Sequence, residues 1–224
     1  VGATIAYTLQ LSGLATEIVL VDLDQERAKG QAMDMGHGLF FTPPARIAAG
    51  GYEDCAGSDL IVVTAGARQR PGESRTELSY VIGEHGDSEV FLWSHVNIGG
   101  VPLETFCRGC PKGCMPEARG EIEEAVRRSA YHIIEAKGYT NYGVSLAVTR
   151  IAGAVLRDEK SVLTVSTLLQ GEYGLEGLSV SVPCVVGAKG VERVLETFLP
   201  PDETEALLSS AEKVKGLLDD LYPA

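Results

Sequence analysis

Ser58-Asp59-Leu60-Ile61-Val62-Val63-Thr64 runs directly into Ala65-Gly66-Ala67-Arg68-Gln69-Arg70-Pro71-Gly72-Glu73-Ser74-Arg75. A short apolar run left through glycine and proline predicts a strand covered on both faces, as in a parallel sheet. Glu17-Ile18-Val19-Leu20-Val21-Asp22 repeats the pattern upstream and ends in an acid. Around these runs, residues 2–12 predict a helix with Ile5, Ala6 and Leu9 on one face and Gly13 as its stop. A second helix is expected from Asp24 to about Met35, and a short strand over Arg46–Ala49. Helices alternating with buried strands predict an α/β fold with a doubly wound sheet, whose ligands sit at the carboxyl ends of its strands.

The pattern changes near residue 79. Glu117–Lys137 predicts a long amphipathic helix with Ile122, Val126, Ala130, Ile133 and Ile134 on one face, followed by a helix over about 143–157. Ser161–Leu169 and Leu178–Val186 read as two strands, expected to pair antiparallel. Pro201-Asp202-Glu203 opens a last helix, with an apolar stripe through Leu207, Ala211, Val214, Leu218 and Leu221. The expected organisation is a partial dinucleotide-binding domain over 1–78 and an α+β domain over 79–224.

With 224 residues the chain can bury a sizeable core, and a net charge of −12 speaks against nucleic-acid or anionic-membrane partners. No apolar run reaches the length of a bilayer span. The start, Val1-Gly2-Ala3-Thr4, has no basic n-region, so no signal peptide is expected and the location is read as cytoplasmic. Five cysteines also suit a reducing compartment. Cys107, Cys110 and Cys114 suggest either a metal knuckle or a loop of reduced thiols. A structural zinc site needs four ligands, so the thiol loop is preferred and no metal is expected. Cys55 and Cys184 read as small buried apolar residues.

Three places carry chemistry. Asp22, ending a strand soon after Gly2, fits an acid that accepts hydrogen bonds from a dinucleotide's ribose, though an ordinary buried α/β strand gives the same pattern. His85 in Gly83-Glu84-His85-Gly86-Asp87 lies on a polar stretch, either as a proton carrier or as a hydrogen-bonded turn histidine. His37 is flanked by glycines too, without an acid nearby, while His95 and His132 suggest nothing catalytic. Arg68, Arg70 and Arg75, after a strand expected to end at the ligand edge, suit the grip of a carboxylate or a carbonyl, though a solvated basic loop gives the same pattern.

Taken with the stretches over 61–75, 81–94, 136–147 and 178–191, these segments resemble the L-lactate dehydrogenases of the lactate/malate dehydrogenase family over nearly the whole chain. The resemblance implies a Rossmann-type NAD-binding domain, NAD as cofactor, and interconversion of pyruvate and L-lactate in glycolysis and fermentation. It also implies a cytoplasmic homo-oligomer, a homotetramer, working on a small-molecule substrate. His85 then matches the acid/base that protonates the pyruvate carbonyl oxygen, and Arg75 the loop residue that closes over substrate. Gln69 matches the position that discriminates substrates, and Thr140 a wall of the same pocket. Gly2, Asp22, Ala65 and Gly66 match cofactor contacts. Gln69 in place of arginine favours lactate over malate; a malate or other 2-hydroxyacid dehydrogenase is the alternative, and a non-catalytic subunit that joins intact homologues is another.

Against the family pattern, an internal segment is lacking between Leu78 and Ser79, together with the N-terminal strand. The resemblance places in that segment the aspartate that pairs with the histidine and the arginine that grips the substrate carboxylate. It therefore predicts a His85 without a carboxylate partner, an impaired activity, and expected strands at 17–22 and 58–64 deprived of the strand between them.

Overall fold

A computed structural model describes residues 1–64, 81–108 and 116–222. In chain order its elements begin with helix α1 (Gly2–Ser12), strand β1 (Glu17–Leu20), helix α2 (Gln25–His37) and strand β2 (Arg46–Ala49). Short strands follow: β3 (Val81–Ile82), β4 (Val90–Phe91), β5 (Asn97–Ile98) and β6 (Val101–Pro102). Next come helices α3 (Leu103–Cys107), α4 (Pro116–Lys137) and α5 (Tyr142–Leu156). Strands β7 (Ser161–Gln170), β8 (Glu176–Gly187) and β9 (Gly190–Val194) and helix α6 (Pro201–Leu221) complete the order. The elements group into two units, the first drawn from Val1–Arg68, Thr140–Lys160 and Val186–Gly190, and the second from the other segments.

The first unit is built on a β-α-β turn of chain. β1 and β2 pair in parallel with Ile18 opposite Ile47, and α2 makes the crossover between them. Asp24 starts α2 by accepting the N–H of Arg27 at 3.1 Å, which satisfies one of the helix's open donors. α1 stops at Gly13, which takes the left-handed conformation at φ 66°. Its apolar face then meets Ile18, Met35 and Ala152 through Ile5, Ala6 and Leu9, forming one small core.

Residues 58–64 do not form the expected strand. Ile61 is 60% and Val63 81% exposed, far from the burial a central strand requires. The cause is a missing neighbour. In a doubly wound sheet the first strand lies between the second and the fourth. β1 and β2 fill the second and third places, and no described residue fills the first. The run at 58–64 thus has no ladder to join, and its backbone groups are left to water.

In the second unit, β3 and β4 form an antiparallel pair, with Val81 opposite Phe91 and Ile82 opposite Val90. Ile82, Val90, Leu92, Leu199 and Leu207 make its core, so α6 covers this hairpin. β7, β8 and β9 are neighbours in that order. The connection from β7 to β8 is too short for a parallel crossover, which fits the expected antiparallel pair. Leu178, Val180, Val182 and Cys184 are buried at alternate positions of β8, as one covered face demands.

Three local expectations are corrected. The covered side of α4 is turned away from Ile122 and Ile133, which are 48% and 43% exposed, while Ala130 is buried. Glu123 and Arg127 take the inward positions because they have partners there: Trp93 Nε1 donates to Glu123 at 2.6 Å, and Arg127 lies over the Phe91 ring. The α6 stripe ends early, with Leu221 exposed. Cys107 is disulfide-bonded and not a reduced thiol. Cys55 and Cys184 are free, and Cys110 and Cys114 lie outside the described residues.

Candidate active site

Within the first unit two of the expected cofactor residues are described: Gly2, which opens α1, and Asp22, which follows β1. The helix carries the chain about 16 Å at 1.5 Å per residue. Gly2 opens α1 and is closely approached: a Cβ there would lie 2.7 Å from Thr64 Oγ1. That contact brings the end of the 58–64 run to the start of the helix. Thr140 is held near the same turn through its neighbour, since the side-chain amide of buried Asn141 donates to Thr4 Oγ1 at 3.2 Å.

These groups fit the adenosine and phosphate parts of NAD. Val1 gives α1 no side-chain cap, so the N–H groups of its first turn remain for a phosphate. Asp22 is exposed, and one of its oxygens accepts the N–H of Asp24 at 3.0 Å while the carboxylate still faces outward for a ribose. Ala65, Gly66, Gln69 and Arg75, together with the Leu78–Ser79 junction, lie outside the described residues.

His85 belongs to the second unit, on the loop 83–89 that joins β3 to β4. The loop is pinned at its start. Gly83 exchanges two backbone hydrogen bonds with Ser181 of β8, both 2.8 Å, at φ 93°. A Cβ on Gly83 would lie 2.6 Å from Ser210 Oγ of α6, and that same hydroxyl accepts the N–H of Glu84 at 2.7 Å. Only glycine satisfies both the backbone angle and the space. Farther along, Ser88 donates its hydroxyl to Glu84 at 2.6 Å, and Tyr131 of α4 donates to Asp87 at 2.8 Å.

His85 does have a carboxylate beside it, contrary to expectation. Its Nδ1 lies 3.6 Å from Glu89 Oε1, with the histidine side chain 33% and the glutamate side chain 2% exposed. Glu89 was missed because four residues of separation mean proximity only in a helix, and this stretch is a bent loop. Glu89 also lines a cavity of about 390 Å³ with Phe91, Trp93, Glu123, Arg127 and Glu203. The base of the loop is braced there: Arg127 donates to the Glu89 carbonyl at 3.1 Å, and Glu203 accepts the Ser94 N–H at 2.9 Å.

A glycine-pinned histidine with a buried acid at one ring nitrogen is equipped to move protons. Residues 1–82 match the lactate/malate dehydrogenase NAD binding domain, and residues 64–221 match the lactate/malate dehydrogenase alpha/beta C-terminal domain. The chain belongs to the lactate/malate dehydrogenase family. L-lactate dehydrogenase of Thermoanaerobacter pseudethanolicus is 37% identical over 298 positions, covering 99% of this chain and 96% of that protein. L-lactate dehydrogenase of Treponema denticola is 37% identical over 300 positions, covering 99% and 95%. An alignment of 298 positions on 224 residues leaves at least 74 family positions without a counterpart here. Among solved structures, minor L-lactate dehydrogenase from Enterococcus mundtii aligns with a TM-score of 0.90 at 27% identity, covering 100% of this chain and 96% of that one. A lactate dehydrogenase from a Medee basin deep-sea metagenome library gives the same score and identity, covering 98% and 95%. The family's NAD-binding half therefore contains Gly2 and Asp22, and its C-terminal half contains Thr140.

Proposed function

We propose that the chain is an NAD-dependent L-lactate dehydrogenase that interconverts pyruvate and L-lactate. The observation that carries the reading is the match across 99% of the chain to relatives named L-lactate dehydrogenase. NAD, when bound, supplies or accepts the hydride at the carbon that is carbonyl in pyruvate and alcohol in lactate. Two electrons travel with that hydride, so reduction needs one proton delivered to the carbonyl oxygen. His85 delivers it as imidazolium and takes it back in the reverse direction. Gly2 and the first turn of α1 hold the phosphates, and Asp22 holds the ribose and rejects a 2′-phosphate by charge. Gln69, Arg75 and Thr140 carry their expected substrate roles, and Ala65 and Gly66 their cofactor roles, on the strength of the resemblance.

The protein acts in the cytoplasm as a homo-oligomer, a homotetramer, on small molecules and without nucleic-acid or membrane partners. The net charge of −12 supports the last point, and no described helix is long and apolar enough to cross a membrane. In the first unit, Phe40 and Phe41, 96% and 91% exposed, are apolar side chains that an oligomer contact would cover. Substrate choice tests the assignment. With NADH, the purified chain is expected to reduce pyruvate at least tenfold faster than oxaloacetate at equal concentration. A preference for oxaloacetate would make it a malate enzyme instead.

A further inference from the structure

The proton carrier needs a group that fixes which ring nitrogen bears hydrogen, and the family resemblance places that acid in a segment this chain lacks. We propose that Glu89 is the positioning residue of His85: its carboxylate holds the imidazole with hydrogen on Nδ1 and leaves Nε2 to exchange the proton with substrate. The substrate clause rests on the lactate dehydrogenase reading; the pairing itself does not.

Burial is the first support. A carboxylate with 2% of its side chain exposed is stable only among cations and donors, and His85 Nδ1 at 3.6 Å is one of these. That separation is an ion-pair distance, a few tenths of an ångström beyond a hydrogen bond. Closing it takes a small turn of either side chain. The second support is the loop. Four residues of extended chain would separate the two by about 13 Å, so the contact exists because the loop bends back. The bend is fixed from two other elements, by Ser181 on β8 and Ser210 on α6.

The third support is the placement of the surrounding charges. Glu84 accepts two bonds from Ser88, and Asp87 accepts the Tyr131 hydroxyl. On α4, Arg127 reaches the Glu89 carbonyl and pairs with Glu123 at 3.3 Å. Among the described residues, the acid placed against the His85 ring within ion-pair distance is Glu89. An acid at Nδ1 favours the hydrogen there when the ring is neutral, and favours the cation when it is charged.

The test is ¹⁵N NMR of the four histidine rings in the full chain without cofactor, with the His85 signals assigned by their loss in His85→Gln. At high pH, where the ring is neutral, the wild-type hydrogen is expected on Nδ1. In Glu89→Gln that preference is lost, while the ring signals of His37, His95 and His132 stay unchanged. Glu89→Asp, its carboxylate drawn back by one methylene, should give an intermediate tautomer ratio. An unchanged His85 tautomer in a well-dispersed Glu89→Gln spectrum would overturn the proposal. If that variant does not fold, the wild-type spectrum decides, since a neutral ring with hydrogen on Nε2 overturns it equally. None of these readouts needs turnover, so failure to oxidise NADH would bear on the proposed activity and not on this pair.

Discussion

Replacing Gly83 by alanine should loosen the His85 loop by an amount that follows from two contacts. At φ 93° an L-residue pays the left-handed penalty, about 1–2 kcal/mol. Its Cβ would also stand 2.6 Å from Ser210 Oγ and 3.1 Å from Ser210 Cβ. Ser210 is 1% exposed, so it has little room to withdraw. If it rotates, it releases the Glu84 N–H, and an orphaned donor costs about 1–3 kcal/mol. Gly83→Ala should therefore destabilise the protein by about 2–5 kcal/mol. In a Ser210→Gly background the collision is gone, and the same substitution should cost only the backbone penalty of about 1–2 kcal/mol. Urea unfolding of wild type, both single variants and the double variant closes the cycle, with an expected coupling of at least about 1 kcal/mol. A cost for Gly83→Ala below about 0.5 kcal/mol, within the range of ordinary surface changes, would refute the reasoning. An equal cost in both backgrounds would refute the Ser210 part of it.

Ile18→Ala, in the first unit's core, should cost about 2–4 kcal/mol, whereas Val63→Thr should stay within about 0.5 kcal/mol. Thermal or urea unfolding of both variants compares them, and a large cost at Val63 would mean that 58–64 is a covered strand after all. Burial, with help from the Glu172 charge, pushes the Cys184 thiol up to about 11. Iodoacetamide at pH 8 should then label half-buried Cys55 in the native protein and spare Cys184 until it unfolds, as read by peptide mass spectrometry. The bond from Lys160, then the Ala188 N–H, holds the Asp158 carboxyl below the usual carboxylate value of 3.8. Its folded form is thus favoured above that value, and the benefit disappears as pH falls through the lower folded one. Asp158→Asn should flatten this part of the acid-unfolding curve, and an unchanged curve would dismiss the pairing.

Helices α1 and α2 were legible in the sequence because boundary residues mark them. Gly13 ends α1 and Asp24 begins α2, as their types suggested. β1 and β2 were legible for the same local reason, as short apolar runs. Residues 58–64 carry an equally good strand pattern, yet a strand exists only with a neighbour, and pattern says nothing of who is absent. The α4 face shifted because Glu123 and Arg127 found partners on Trp93 and Phe91, which periodicity cannot foresee. Gly2, Asp22 and His85 stand as candidates on residue type and context alone. Glu89 could not, because its approach to His85 is made by Gly83, Ser181 and Ser210 acting from three separate parts of the chain. The Cys107 bond was missed through reliance on the compartment expected for the chain.

Proton delivery by His85 is the step on which the proposed NADH-dependent reduction of pyruvate turns. The direct measurement is NADH oxidation by the purified 224-residue chain with pyruvate, beside His85→Ala shown to be folded by circular dichroism. A pyruvate-dependent rate is expected in the wild type, reduced by the lack of the arginine that the resemblance places in the internal segment. It should fall by about a further 100-fold in the variant, the range of one lost acid/base group. No pyruvate-dependent rate in the wild type, or the same rate in both proteins, would contradict the proposal.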